Sequence, residues 1–256
     1  MKKYNEELLL LENKPLNHDN YRLVLQAERD ISEISPGQFI HIKIENAGIL
    51  LRRPFSIFDV NKKKRTISLL VKILGEGSKV LTTLKTGEKI NVIYPLGKGF
   101  TLPDKNDKIL LIGGGVGVAP LLFLAKKAGI PAKNVSVIIG AKDKGEHISV
   151  EDYKLYGNFY FSTEDGSMGT KGFVTDVPEF MDYLSEYNKI YTCGPSPMMK
   201  AIVREALKRD IFCEASLESK MACGIGICLC CVEKTTTGNR CVCTDGPVFN
   251  AKELKW

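Results

Sequence analysis

The sequence predicts an α+β multidomain chain: an antiparallel β-barrel over residues 1–102, an α/β domain built on a parallel sheet over 103–211, and a small cysteine-rich C-terminal domain over 212–256. Three observations predict it. Up to Leu102 the chain runs in short strand-like stretches divided by turn residues, the pattern of a small antiparallel barrel. Beyond Pro103-Asp104, strand-like and helix-like segments alternate, which implies parallel strands joined by crossovers. From Phe212 to Trp256 cysteines crowd the chain, and the segment is too short for a core of its own, so a bound metal cluster would serve as that core.

Within the barrel, Tyr21–Ala27 alternates with period two, and a Pro36-Gly37 turn leads into Gln38–Ile44. Phe55–Val60 and Thr66–Ile73 follow. Between them lies the basic run Lys62-Lys-Lys-Arg65, which reads as a solvated hairpin tip in preference to a nucleic-acid patch. Gly77-Ser78 opens a helix over Ser78–Leu84, and a turn at Gly87 starts Lys89–Tyr94. In the α/β part, the buried strand Lys108–Ile112 runs directly into Gly113-Gly-Gly-Val-Gly117. Ala119–Ala128 has helical spacing and ends at Gly129. Val135–Ile139, Asn158–Ser162 and Lys189–Thr192 are further strands. Ser196-Pro197 starts a helix, with the serine as N-cap and proline at the first helical position. Met199, Ile202, Val203 and Ala206 mark its apolar face through Arg209.

Composition narrows the function classes. A hydrophobic content of 44 % and a charged content of 26 % are ordinary for a soluble protein. No apolar run reaches the roughly 20 residues of a membrane helix, so no membrane role is expected. The net charge of +6 is scattered, so no nucleic-acid partner is expected. Leu8–Leu11 follows Glu6 and Glu7, unlike a secretory leader with its basic start. Eight cysteines without a leader point to a reducing cytoplasm and a metal or redox role. His18, His41 and His147 show no ligand-like spacing and receive no role. No Ser–His–Asp or paired-carboxylate arrangement is evident, and hydride transfer would need neither.

Three stretches carry chemistry. Cys223, Cys228 and Cys231 have the C-x4-C-x2-C spacing of a plant-type [2Fe–2S] loop, with Gly224 and Gly226 free to let the backbone wrap closely. A fourth ligand must come from Cys241 or Cys243 after a turn at Thr237-Gly-Asn239. Zinc is the competing reading, but only Cys228/Cys231 form its usual knuckle. Disulfides would need an oxidising compartment. Second, Gly113, Gly114, Gly115 and Gly117 join a strand to a helix N-terminus, where N–H groups and the helix dipole suit a pyrophosphate. The strict G-x-G-x-x-G spacing fails, and a tight structural turn is the alternative. Cys193-Gly194-Pro195 ends a strand and reads either as the mouth of that nucleotide site or as a buried thiol. Third, Arg52-Arg-Pro-Phe-Ser-Ile57 offers a guanidinium for phosphate, an aromatic face and a hydroxyl. Alone it reads equally as a surface strand.

In this order the motifs resemble the ferredoxin–NADP reductase superfamily, in which a FAD-binding barrel precedes a Rossmann-like nicotinamide domain. Arg53-Pro-Phe-Ser56 looks like its flavin motif, Gly113–Pro120 like its pyrophosphate loop, and Cys193-Gly-Pro195 like its cysteine–glycine corner. Within that superfamily, Met221-Ala-Cys-Gly-Ile-Gly-Ile-Cys and Cys243-Thr-Asp-Gly-Pro-Val-Phe249 resemble the electron-transfer subunits of class 1B dihydroorotate dehydrogenases. The resemblance implies FAD contacts from Arg53, Pro54, Phe55, Ser56, Leu70, Val71, Lys72, Gly77 and Ser78. It implies nicotinamide contacts at the glycine run, Cys193 and Gly194, and a [2Fe–2S] cluster on Cys223, Cys228, Cys231 and Cys243. Cys230 stands where family members often carry a small residue. The implied partner is an FMN-containing catalytic subunit in a 2+2 heterotetramer that oxidises dihydroorotate and reduces NAD⁺ in pyrimidine biosynthesis. The acids in Gly140-Ala-Lys-Asp143 and Ser162-Thr-Glu-Asp-Gly166 suit the free ribose hydroxyl of NAD(H). The rival readings are a related reductase subunit serving ferredoxin–NADP or sulfide chemistry, a non-catalytic iron–sulfur redox sensor, and a zinc-stabilised binding module.

Overall fold

The computed structural model describes residues 2–45, 48–148 and 150–256. Strands β1 (Tyr4–Pro15), β2 (Asn20–Gln26), β3 (Phe39–Ile42), β4 (Arg53–Asn61), β5 (Thr66–Lys72) and β6 (Lys89–Leu96) close into a barrel in the order β1-β2-β5-β4-β3-β6. Every pairing is antiparallel. Period-two alternation fills the interior: Leu23, Leu25, Ile40, Ile42, Ile67 and Leu69 are fully buried. Helix α1 (Glu76–Thr83) lies between β5 and β6 in the chain. Strand β1 is twelve residues long. Its consecutive leucines hide their alternation in the sequence, yet Leu8 and Leu10 point inward at 0 % exposure while Leu11 is 38 % exposed.

The second part contains β7 (Ile109–Gly114), α2 (Val118–Lys127), β8 (Val135–Ala141), β9 (Asn158–Thr163), β10 (Thr170–Lys171), α3 (Pro178–Met181), β11 (Lys189–Cys193), α4 (Ser196–Lys208) and β12 (Phe212–Ser216). The last part adds the hairpin β13 (Val232–Thr235) and β14 (Gly238–Cys241), then β15 (Val248–Asn250). One seven-stranded sheet runs β10-β9-β8-β7-β11-β12-β15, parallel throughout except for β15. The chain proceeds outward from β7 through β8, β9 and β10, then returns to the other side of β7 with β11. The order therefore reverses between β7 and β11. Ser196 is itself the first helical residue of α4, Pro197 is second, and no side chain caps the helix.

The parts are packed into one another. Phe123 of α2 is buried with the barrel interior, while Phe58 and Leu70 of the barrel are buried with the sheet and α2. Lys126 of α2 pairs with Asp59 of β4 at 2.7 Å. The C-terminal segment has no separate apolar core: Cys231, Val242, Cys243 and Phe249 share one with Phe39 and Leu96 of the barrel and Ile190 of the sheet. This differs from the expectation that a cluster alone would serve as the segment's core, because the barrel and the sheet supply apolar surface that the segment lacks. No helix among the described residues is long and apolar enough to cross a membrane.

Candidate functional site

Two adjacent arginines separate at the start of β4. Arg52 donates from Nη1 to the carbonyls of His41 (3.3 Å) and Asn91 (3.2 Å), so β3, β4 and β6 consume it. Arg53 donates to the carbonyls of Leu51 (2.8 Å) and Arg52 (3.3 Å), and its side chain lies over the first turn of α1. A Cβ on Gly77 would stand 3.1 Å from Arg53 Nε. A guanidinium and a helix N-terminus thus meet at one place, the local chemistry of a pyrophosphate site. Ser78 shapes the entry to that turn: its Oγ accepts the N–H groups of Leu74 and Gly75 and donates to the Gly75 carbonyl. Pro54, Phe55 and Ser56 are half-buried along β4. Leu70 and Val71 are buried, so only their backbones remain for a ligand. Lys72 Nζ pairs with Glu146 at 3.2 Å, tying β5 to the segment after β8.

Gly113, Gly114, Gly115 and Gly117 sit at the carboxyl end of β7, beside Cys193 and Gly194 at the end of β11. This is the switch point of the sheet, where open α/β folds bind ligands. Three of the glycines are required by packing. A Cβ on Gly113 would lie 2.9 Å from Val118 Cα, one on Gly114 2.7 Å from Pro195 Cδ, and one on Gly117 2.6 Å from the Cys193 carbonyl oxygen. Gly115, at φ +54°, faces open space and leaves the crevice its room. The Cys193 thiol is buried, and its pKa is pushed far up by desolvation and by the nearby Glu218 charge. Glu218 was not anticipated from the sequence. It is exposed at the surface, yet the protein around it desolvates the carboxyl and raises its pKa. Two residues past the end of β12, it carries no local sequence signal.

The cysteines fall into two pairs. Around Cys223, the backbone N–H groups of Ile225 (3.5 Å), Ile227 (3.4 Å) and Cys228 (3.4 Å) donate to its Sγ. Burial pushes this thiol up. The N–H groups of Cys228 and Ile225, the Cys228 thiol and the Ile227 N–H outweigh burial and hold it at about 6. Gly224 (φ +68°) and Gly226 (φ +87°) make that wrap possible. In the other pair, the Cys243 N–H donates to Cys231 Sγ at 3.4 Å, and both residues are buried. Burial and the Cys231 contact push Cys243 up to about 12. Cys241 is engaged differently: its N–H donates to Asp245 Oδ2 at 2.9 Å. Among the described residues no three metal-ligating groups converge on one ion. A two-iron cluster takes two thiolates per iron, which suits two pairs better than a single tetrahedral point would.

The matching family models are the oxidoreductase FAD-binding domain, over residues 7–100, and the iron–sulfur cluster binding domain of dihydroorotate dehydrogenase B, over 218–255. The chain is 35 % identical to the dihydroorotate dehydrogenase B (NAD(+)) electron transfer subunit of Shouchella clausii, with 99 % of each chain covered. It is 37 % identical to the protein of that name from Fusobacterium nucleatum, with 98 % of each covered. The chain belongs to the family of dihydroorotate dehydrogenase B electron transfer subunits. Members of this family carry a FAD-binding and a cluster-binding domain, and the donor sets above fit both groups. A chain of a solved NADH-dependent reduced ferredoxin–NADP oxidoreductase is 28 % identical, with a TM-score of 0.85 over 97 % of this chain and 90 % of that one. The ferredoxin reductase of carbazole 1,9a-dioxygenase, 24 % identical with a TM-score of 0.71 over 82 % of this chain and 67 % of that one, shares the fold.

Proposed function

We propose that this chain is the electron-transfer subunit of a dihydroorotate dehydrogenase B, carrying electrons from an FMN-containing catalytic subunit to NAD⁺ in pyrimidine biosynthesis. FAD and a [2Fe–2S] cluster, when bound, supply the exchange between two-electron hydride chemistry and single-electron transfer. The observation that carries the reading is one register. Phe39 stands directly opposite Ser56 of the flavin strand and shares its apolar core with Cys231 and Cys243. The flavin strand and the cluster cysteines thereby border one shared apolar core.

Each group has its work. Arg53 and the first turn of α1 at Gly77-Ser78 hold the FAD pyrophosphate, while Pro54–Ser56 and the backbone of Leu70–Lys72 position the flavin. The glycine loop, with Cys193 and Gly194, seats NAD(H) at the switch point. Cys223, Cys228, Cys231 and Cys243 hold the cluster. Ile227 (77 % exposed) and Leu229 (61 %) project beside the exposed Cys228 and supply apolar area for the catalytic subunit. Unit boundaries at 102/103 and 211/212, a 2+2 assembly and a cytoplasmic location belong to the same reading.

The test is to purify the tagged chain anaerobically from its own host, weigh the native complex, and add dihydroorotate with NAD⁺ while following NADH absorbance. A co-purifying FMN subunit with dihydroorotate-dependent NADH formation is the expected result. A yellow-brown protein that oxidises NADH but ignores dihydroorotate would redirect the reading to ferredoxin-linked chemistry, which the 28 % identical relative favours. A colourless protein would overturn it.

A further inference from the structure

His41 has no place in the site as described so far, yet it lies between two of that site's parts. It is the third residue of β3 and is 0 % exposed. Neither ring nitrogen has a hydrogen-bond partner among the described residues. An imidazole always carries at least one N–H, and a buried donor left unmade costs about 1–3 kcal/mol. The Cys223 backbone approaches the ring without completing a hydrogen bond, so the ring N–H is left for an acceptor in the cysteine loop.

The surroundings indicate where that partner lies. On one side His41 is in register with Pro54 of the flavin strand, and Arg52 fixes its backbone by donating to its carbonyl at 3.3 Å. On the other side is the cysteine loop. A Cβ on Gly224 would fall 2.6 Å from His41 Nδ1 and 3.0 Å from Cε1. The Nδ1–Cε1 edge of the ring therefore faces the chain next to Cys223. Position 224 must be glycine twice over, for its φ of +68° and for the space the ring takes. His147 also has two unpartnered ring nitrogens, but its ring stacks edge-on against Phe161 at 4.8 Å, with no contact to the cysteine loop among those described. An orphaned imidazole alone would thus prove nothing; its contact with the cluster loop distinguishes His41.

We propose that His41 is a positioning residue of the iron–sulfur site, a buried N–H donor held between the flavin strand and the cluster loop for the cluster-bound state of that loop. The inference rests on the reading that the loop carries a [2Fe–2S] cluster. Donors near cluster sulfur stabilise the more negative, reduced state and raise the reduction potential. The ring lies between β4 and the cysteine loop, and a shift in the potential of a cluster held there would alter its balance with a bound flavin.

The test uses the full chain purified with its cofactors. His41→Leu removes both nitrogens, and His41→Asn returns an amide N–H near the Nδ1 position. Cluster potential is read by redox titration with EPR of the reduced cluster, alongside iron and FAD content. In His41→Leu the reduction equilibrium should move about tenfold toward the oxidised cluster, about 59 mV for one electron, with an altered EPR signal and unchanged FAD. His41→Asn should recover most of both. Equal potentials and EPR signals in all three proteins would overturn the proposal. Should His41→Leu purify without iron, native iron loading in His41→Asn would support the donor role, and iron loss there with FAD retained would overturn it. A wild-type chain lacking the [2Fe–2S] spectrum would instead remove the underlying reading, and this is seen before any variant is compared.

Discussion

Two glycine-bearing loops, each proposed to face a ligand, have shapes of different origin. In Gly113–Gly117 the polypeptide accounts for nearly everything: three of the four glycines are demanded by Val118, Pro195 and the Cys193 carbonyl. Only Gly115 is left over for a ligand. In Cys223–Cys228 the loop is wrapped round a sulfur, with three N–H groups aimed at Cys223 Sγ. The comparison teaches that a glycine-rich turn is weak evidence of a phosphate site when packing explains it. In the cysteine loop packing also asks for glycine, against His41 at Gly224 and Thr244 at Gly226, but it does not explain why three N–H groups converge on one sulfur.

The sharpest break of this contrast comes from the cysteines. Cys243→Ser should abolish iron binding while FAD stays bound, and Cys241→Ser should leave iron content intact; iron and flavin assays on the purified variants decide it. Loss of iron from both would mean that the pairing with Cys231 does not define the fourth ligand.

Next in size is Gly117→Ala. Its methyl group would stand 2.6 Å from the Cys193 carbonyl oxygen and 2.8 Å from the carbonyl carbon, both backbone atoms that cannot yield cheaply. We expect a loss of about 3 kcal/mol in unfolding free energy, measured by denaturant melts. A near-native melt would show that this loop is less constrained by packing than its neighbours suggest.

The third sharpens the cysteine loop itself. The thiolate is the nucleophile. In the metal-free protein Cys223, held at about 6, should alkylate at a rate that climbs through pH 6 and is flat above pH 7. Cys243, raised to about 12 and buried, should stay protected across that range. Peptide mapping after brief iodoacetamide treatment reads both, and equal labelling would dissolve the distinction between the pairs.

The arginines repeat the contrast between a group consumed by the fold and a group left for a ligand. Arg53→Ala should weaken FAD binding about tenfold to a hundredfold, the worth of about 1.5–3 kcal/mol for a charge-assisted bond. Arg52→Ala should lower stability and leave flavin affinity nearly unchanged. The smallest effect is expected from Gly115→Ala. Its φ of +54° costs an alanine about 1–2 kcal/mol, and no atom lies within 4 Å to clash. The KM for NADH should rise a few-fold with iron and FAD contents unaltered.

Much of the fold was legible because its signals are local. A period-two run marks β2, and the strand–glycine–helix sequence marks β7 and α2. The basic run at Lys62–Arg65 does form the turn between β4 and β5. Strand β1 was illegible because leucine follows leucine, so inward and outward positions look alike until burial separates them. The start of α4 was misjudged by one residue, since Ser196 adopts helical geometry instead of capping it. At the site, the cysteine spacing pointed to a cluster, but the choice of Cys243 over Cys241 needed the family resemblance, because the two are one residue apart. His41 was passed over because a lone histidine inside an apolar strand has no spacing to betray it.

The sequence by itself pointed to the order of barrel, parallel-sheet and cysteine-rich parts and to FAD, an iron–sulfur cluster and NAD(H) as their cofactors. Those properties depend on residue type and short-range periodicity, which survive in an unfolded chain. Only the tertiary structure decided that β12 and β15 extend the parallel sheet into the cysteine segment, and that His41 lies between β4 and the Cys223–Cys228 loop. It also decided that Arg52 supports the barrel while Arg53 faces α1, and that Glu218 stands beside Cys193. These are contacts between residues far apart in the chain, set by strand register and by which apolar faces exclude water from one another.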